Sequence, residues 1–146
     1  MGRAGMLSEA EIYAEFVKAM KKYVHIHRIE NAIASGTFDC VVSYANSTFW
    51  CEFKENDEKE LRASQVSWAK RRMDHGCYND MLVITMMNDN FIIALASDLI
   101  MSDGPINKCK RISIGKKDIP EFFLHLYYSM RGNEDERDRE GTEQLH

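Results

Sequence analysis

Apolar residues in the first part of the chain recur at helical intervals: Ile12, Tyr13, Phe16 and Met20, with Val17 and Ala19 on the flanks. Ser8-Glu9-Ala10-Glu11 ahead of them is a capping box, so helix is predicted from there to about Lys22. From Tyr23 to Ile29 the pattern turns to alternation, which predicts a strand with Val24, Ile26 and Arg28 on one face and His25 and His27 on the other. Residues 31–38 read as a loop in which Gly36 permits an unusual backbone angle. Residues 39–45 and 48–54 are two further strands rich in β-branched and aromatic residues, with Asn46-Ser47 as a hairpin turn. A polar loop over 55–60 leads into a helix over about 61–75 that ends at Gly76, with Leu61, Trp68, Ala69 and Met73 on or near its apolar side. Residues 81–87 are apolar almost without a break, which predicts a central strand buried on both faces. A strand over 91–96 follows, then a helical turn from Ser97 that stops by Gly104-Pro105. An edge strand carrying Lys110 and Arg111 and a last helix from Pro120 to Met130 complete the pattern. The expected fold is a mixed α/β sheet (α+β) whose core order is helix, three strands, helix, strand.

The hairpin concentrates the chemistry. With Ala45 opposite Thr48, Val41 opposes Glu52 and Asp39 opposes Lys54. Strand alternation then puts Asp39, Glu52 and Lys54 on one face at one end, with Asp39 and Glu52 as diagonal neighbours able to share a cation. The other face, with Cys40, Val42, Tyr44, Phe49, Cys51 and Phe53, is ordinary core. Hard oxygen ligands suit Mg²⁺ or Mn²⁺, and a neighbouring lysine can orient water or balance charge. The bland alternative for the same residues is a cross-strand salt bridge on a solvated face. Glu9 shares the core-facing stripe of the first helix, and Glu11 and Glu15 are its alternatives as an acid pointing toward the strands. Gln65 lies on the inward side of the second helix and needs a hydrogen-bond partner there. Lys70-Arg71-Arg72 is the one dense basic cluster, suited to phosphate positioning or to the dipole of the helix end that carries it.

The order and spacing of Arg28-Ile29-Glu30-Asn31, Gly36-Thr37-Phe38-Asp39, Glu52-Phe53-Lys54 and Gln65-Val66-Ser67-Trp68 resemble the PD-(D/E)XK nuclease superfamily. The likeness is to its virus-type replication-repair (VRR-NUC) branch and related small phage endonucleases of the Holliday-junction-resolvase kind, over roughly residues 8–96. Phe38 departs from the pattern, since the family usually has proline there. The resemblance implies a restriction-endonuclease-like α-β-β-β-α-β core, here with an extra strand, an edge strand and a C-terminal helix. It also implies Mg²⁺- or Mn²⁺-dependent hydrolysis of DNA phosphodiesters in phage or bacterial replication, recombination or repair, with branched DNA among the substrates. Asp39, Glu52, the Phe53 carbonyl and Glu9 would be the metal ligands, Lys54 the catalytic lysine, and Gln65, Arg28, Lys70, Arg71 and Arg72 contacts to DNA. Small members of such families often work as homodimers.

Charge qualifies this picture. The 146-residue chain has a net charge of −4, but residues 133–146 hold six acids against two bases; without them 17 of each sign remain on residues 1–132. We therefore expect one neutral domain over 1–132 and an acidic, disordered tail over 133–146. A neutral body is compatible with phosphate binding without arguing for it. Two other classes stay open: a catalytically silent nucleic-acid-binding or assembly module on the same fold, and a structural domain whose last aromatic helix is an interface. No run is long enough to span a bilayer. Cys40, Cys51, Cys77 and Cys109 lack metal-ligand spacing and read as buried thiols of a reducing cytoplasm.

Overall fold

The structure, a computed structural model, describes residues 7–29, 36–44 and 47–129. Its elements in order are α1 (Glu9–Met20), β1 (His25–Arg28), β2 (Cys40–Tyr44), β3 (Ser47–Phe53), α2 (Ala63–Asp74), β4 (Met81–Met87), β5 (Asn90–Leu95) and α3 (Ala96–Ser102). A 3-10 turn (Ile106–Lys108), β6 (Ile112–Gly115) and a second 3-10 turn (Lys116–Asp118) follow, and residues 119–129 form a last helix, α4. The strands make one six-stranded sheet in the order β1-β2-β3-β4-β5-β6. All neighbours pair antiparallel except β3 and β4, which are parallel and joined through α2. This is the mixed α/β arrangement that the apolar pattern implies.

Helices cover both faces. On one, Ile12, Phe16 and Met20 of α1 and Phe123 of α4 pack on Val42, Phe49, Phe53, Leu82 and Ile84. Phe16 is the hub, with ring centroids 5.3 Å from Phe53, 6.0 Å from Phe91 and 5.8 Å from Phe123. On the other, Ala69 of α2 and Leu99 of α3 pack with Phe38, Met81, Val83 and Ala94. β4 lies between β3 and β5 and is buried on both faces, which is why its sequence shows no alternation. The Ser8 capping box forms as expected, with Ser8 Oγ accepting the Glu11 amide and Glu11 Oε1 accepting the Ser8 amide.

Three expectations need correction. In the hairpin Tyr44 pairs with Ser47 and Cys40 with Cys51, a register two residues away from the expected one. A slip of two keeps every side chain on its face, because the strand period is two. Lys110 and Arg111 precede β6 and are not part of it; the Arg111 guanidinium instead donates to the carbonyls of Asn107 and Cys109 at 3.0 and 3.3 Å. β1 is shorter than the alternating stretch, His25–Arg28 only. The tail over 133–146, Glu30, Asn31, Asn46 and Met130 lie outside the described residues.

Candidate functional site

Carried one residue past Cys40↔Cys51, the hairpin register sets Asp39 opposite Glu52. The two carboxylates are thus direct rather than diagonal neighbours, a closer approach than the sequence implied. Phe53 donates its amide to Asp39 Oδ2 at 3.0 Å, so the carboxylate replaces a backbone acceptor where the hairpin frays. The Asp39 carbonyl accepts the Ile29 amide at 2.8 Å and continues the β1 ladder. Trp50 and Lys54 send their amides the other way, to the carbonyls of Asp80, just before β4, and of Ile84 within it. Phe53, between them in phase, turns both its amide and its carbonyl to the Asp39 side.

Glu52 and Lys54 are not on a solvated face. They are 2% and 5% exposed, and Gln65 is fully buried against them. The Gln65 amide ties them together: Oε1 accepts from Lys54 Nζ at 3.0 Å and from the Arg62 amide at 2.9 Å, while Nε2 donates to Glu52 Oε2 at 2.7 Å. Lys54 Nζ also lies 3.4 Å from Glu52 Oε2, so the ion pair runs along one strand rather than across the hairpin. Each partner uses the donor or acceptor its charge demands, which fixes the orientation of the amide. Gly36 makes the approach possible. Its φ is +87°, and a Cβ there would lie 2.0 Å from the Ser64 carbonyl oxygen, so only glycine lets this loop rest on the first turn of α2. Phe38 fills the space beneath, 4.8 Å from the Trp68 ring.

The charges do not balance within this network. Burial, reinforced by Asp39, pushes the Glu52 carboxyl up to about 7, against the lowering pull of Lys54 and Gln65. The ion pair and the raised value are compatible, because desolvation of a nearly dry carboxylate outweighs one ammonium at 3.4 Å. Glu52 Oε1 is buried and has no hydrogen-bond partner. It is the open valence of the cluster.

Of the three candidate glutamates, Glu11 is spent on the cap and Glu15 pairs with Lys116 at 3.1 Å. The Glu9 carboxyl lies within reach of this site: it is raised above its ordinary value, chiefly by burial, with Lys54 lowering it and Asp39 raising it. No group of three or more His, Cys, Asp or Glu side chains is close enough to hold a metal ion among the described residues. Glu9 therefore neighbours the Asp39–Glu52 pair without completing a three-carboxylate cage.

The basic residues divide. Arg72 is turned inward, ion-paired with Asp80 and lying 5.5 Å and 5.4 Å over the rings of Trp50 and Trp68. Its guanidinium is committed to the fold; Lys70 and Arg71 are the exposed members of that cluster. Arg28 lies 4.9 Å over the Tyr13 ring, on the α1 side of the sheet, beside the strand end that carries Asp39. Thr85 was missed. The β3–β4 register, extended by the Lys54 amide bond to Ile84, places Thr85 next to Lys54 on the same face. It is fully buried, and its hydroxyl has no partner. The signal was a lone hydroxyl in the run Met-Leu-Val-Ile-Thr-Met-Met.

A scan against protein-family models finds no match to this chain, and a search of curated proteins finds none either.

Proposed function

We propose that the chain is a divalent-metal-dependent endodeoxyribonuclease of the PD-(D/E)XK kind, built on a restriction-endonuclease-like core and acting on branched DNA. One observation carries the reading: Asp39 and Glu52 face each other beside a buried Lys54, and Glu52 keeps an unpaired oxygen. The donor set fits Mg²⁺ or Mn²⁺. Two carboxylates and the Phe53 carbonyl are hard oxygens on one side of the strands, and Mg²⁺ retains waters in its remaining positions. Glu9 would act through such a water. When bound, the metal supplies Lewis acidity at the phosphate oxygen and lowers the pKa of water.

The protein does the rest. Phe53 holds Asp39 by its amide, and Gln65 holds Glu52 and Lys54 in register. Lys54 would then present its ammonium to the attacking water and to charge developing on the phosphate, and its burial strengthens both interactions. Lys70 and Arg71 are available for phosphates farther along the strand. A homodimer would place two such sites on two strands, as junction cleavage requires.

A catalytically silent binding module is the competing reading, and the Lys54–Glu52 pair favours it, since Lys54 already serves Glu52 as a counterion. The two separate in one assay. Plasmid and four-way-junction DNA are incubated with Mg²⁺, Mn²⁺ or EDTA. Metal-dependent nicking by the wild type that falls by at least 100-fold in Lys54→Ala is the expected result. Retained DNA binding with no nicking under any metal would assign the silent module.

A further inference from the structure

Charges along α1 belong to two different places. Glu9, in the first turn, answers to Lys54 and Asp39, whereas Lys18 in the last turn borders a separate hollow of about 380 Å³. Glu15, Lys18 and Tyr23 line it from α1 and the residues just after it, and Lys116 and Lys117 from the turn after β6. Lys116 is partly neutralised by Glu15 at 3.1 Å and Asp89 at 3.9 Å. Lys18 and Lys117 have no ion pair among the described residues, and Lys21 and Lys22 extend the positive charge just beyond the helix. Tyr23 is 60% exposed. Lysines at a helix end can simply answer its dipole, but Lys116 and Lys117 come from a distant part of the chain and lie outside that explanation.

We propose that this hollow binds an unpaired stretch of nucleic acid running on from the candidate catalytic site, with phosphates on Lys18 and Lys117 and a base stacked on Tyr23. The inference rests on the reading that the substrate is DNA. An aromatic ring stacks on a base only where the base is not already stacked in a duplex, and such platforms between lysines are how single strands are gripped. From Glu9 to Lys18 is roughly 13 Å along a helix rising 1.5 Å per residue. At the 3.4 Å per nucleotide of a stacked strand this is about four nucleotides, and an extended unpaired strand covers it in fewer. The enzyme would therefore prefer DNA with a single-stranded branch to plain duplex.

The test uses the full chain in EDTA, where no cleavage interferes. Anisotropy is measured on a labelled single strand, the same sequence as blunt duplex, and a duplex with a single-stranded flap, across a salt series. The expected order is flap and single strand above blunt duplex. Lys18→Glu with Lys117→Glu should weaken single-strand binding at least tenfold at low salt and flatten its log–log salt slope by about 1.4, for two phosphates lost. Tyr23→Ala should weaken it several-fold with the slope unchanged. Equal affinity of variants and wild type overturns the proposal, as does an equal loss on blunt duplex. Binding to phosphatidylserine vesicles without binding to oligonucleotides also overturns it, and assigns a membrane surface instead. Hydrolysis of bis(p-nitrophenyl) phosphate with Mn²⁺, a diester too small to reach the hollow, reads the catalytic site alone and should not change in these variants. Absence of that hydrolysis in a protein that still grips the flap through Lys18 and Lys117 upholds the hollow and sinks the nuclease reading.

Discussion

On the α1 and α4 side of the sheet the buried cluster contains only apolar residues and cysteines, from Ile12 and Phe16 to Phe49, Phe53 and Phe123. On the α2 and α3 side, Glu52, Lys54, Gln65 and Thr85 are buried as deeply, beside Phe38, Val83 and Ala69. Every buried side-chain polar atom without a partner among the described residues lies on this second side: Glu52 Oε1, Thr85 Oγ1, Arg72 Nε and Asp80 Oδ1. A protein selected for stability alone has no reason to make one face this costly while the other is so well filled. The apolar face holds the sheet together, and the polar face is where it departs from the most stable arrangement.

The largest effect should come from damaging the apolar side. Phe16→Ala removes the ring that touches Phe53, Phe91 and Phe123 and leaves a cavity in a closed core. We expect a loss of about 4 kcal/mol in urea unfolding. Nicking per folded molecule, assayed well below the new melting temperature, should change little. If the site instead fails in step with stability, the two faces are not separable.

Glu52→Gln works in the opposite sense. The Glu52 carboxyl, raised from 4.5 to about 7 chiefly by burial, stays protonated in the folded chain where the unfolded chain has released its proton. Stability therefore falls as pH rises between those two values, and the penalty is complete above 7. At 1.36 kcal/mol per pH unit it amounts to about 3 kcal/mol at most. The amide cannot ionise, so Glu52→Gln should be more stable than wild type at pH 8, similar at pH 4.5, and inactive. If the site takes Mg²⁺ as proposed, the ion should stabilise the wild type increasingly as pH rises through 7, where the ionised carboxylate becomes available to it, and should leave the variant unchanged. Melting curves at several pH values with and without Mg²⁺ decide it.

These contrasts were partly legible in the chain. Alternation assigned Asp39, Glu52 and Lys54 to one face and Cys40, Val42 and Phe49 to the other, and a two-residue slip in register left both assignments intact. What alternation could not convey was the covering. Lys54 reads as a surface charge until α2 lies over it, and Gly36, with no side chain, lets the backbone ahead of Asp39 touch the first turn of that helix. Gln65 announced a need for partners without naming them. Arg72 fell in a run of three bases, and its turn toward Asp80 and two indoles depends on a contact with the residue just before β4. Local periodicity gives the side on which a group emerges; its neighbours come from chain segments far away in sequence.

Thr85 offers the finest division between the two kinds of burial. Its hydroxyl is dry and unbonded next to Lys54, whereas a valine of nearly the same shape would bury a methyl in its place. Replacing an unsatisfied hydroxyl by an apolar group removes a desolvation cost, so Thr85→Val should stabilise the fold by about 1 kcal/mol. If that hydroxyl helps Lys54 order the attacking water, the same change slows metal-dependent nicking several-fold while DNA binding in EDTA stays constant. We expect both. Higher stability with an undiminished rate would confine the chemistry to Asp39, Glu52, Lys54 and Gln65, and would make Thr85 an ordinary imperfection of a strand buried on both faces.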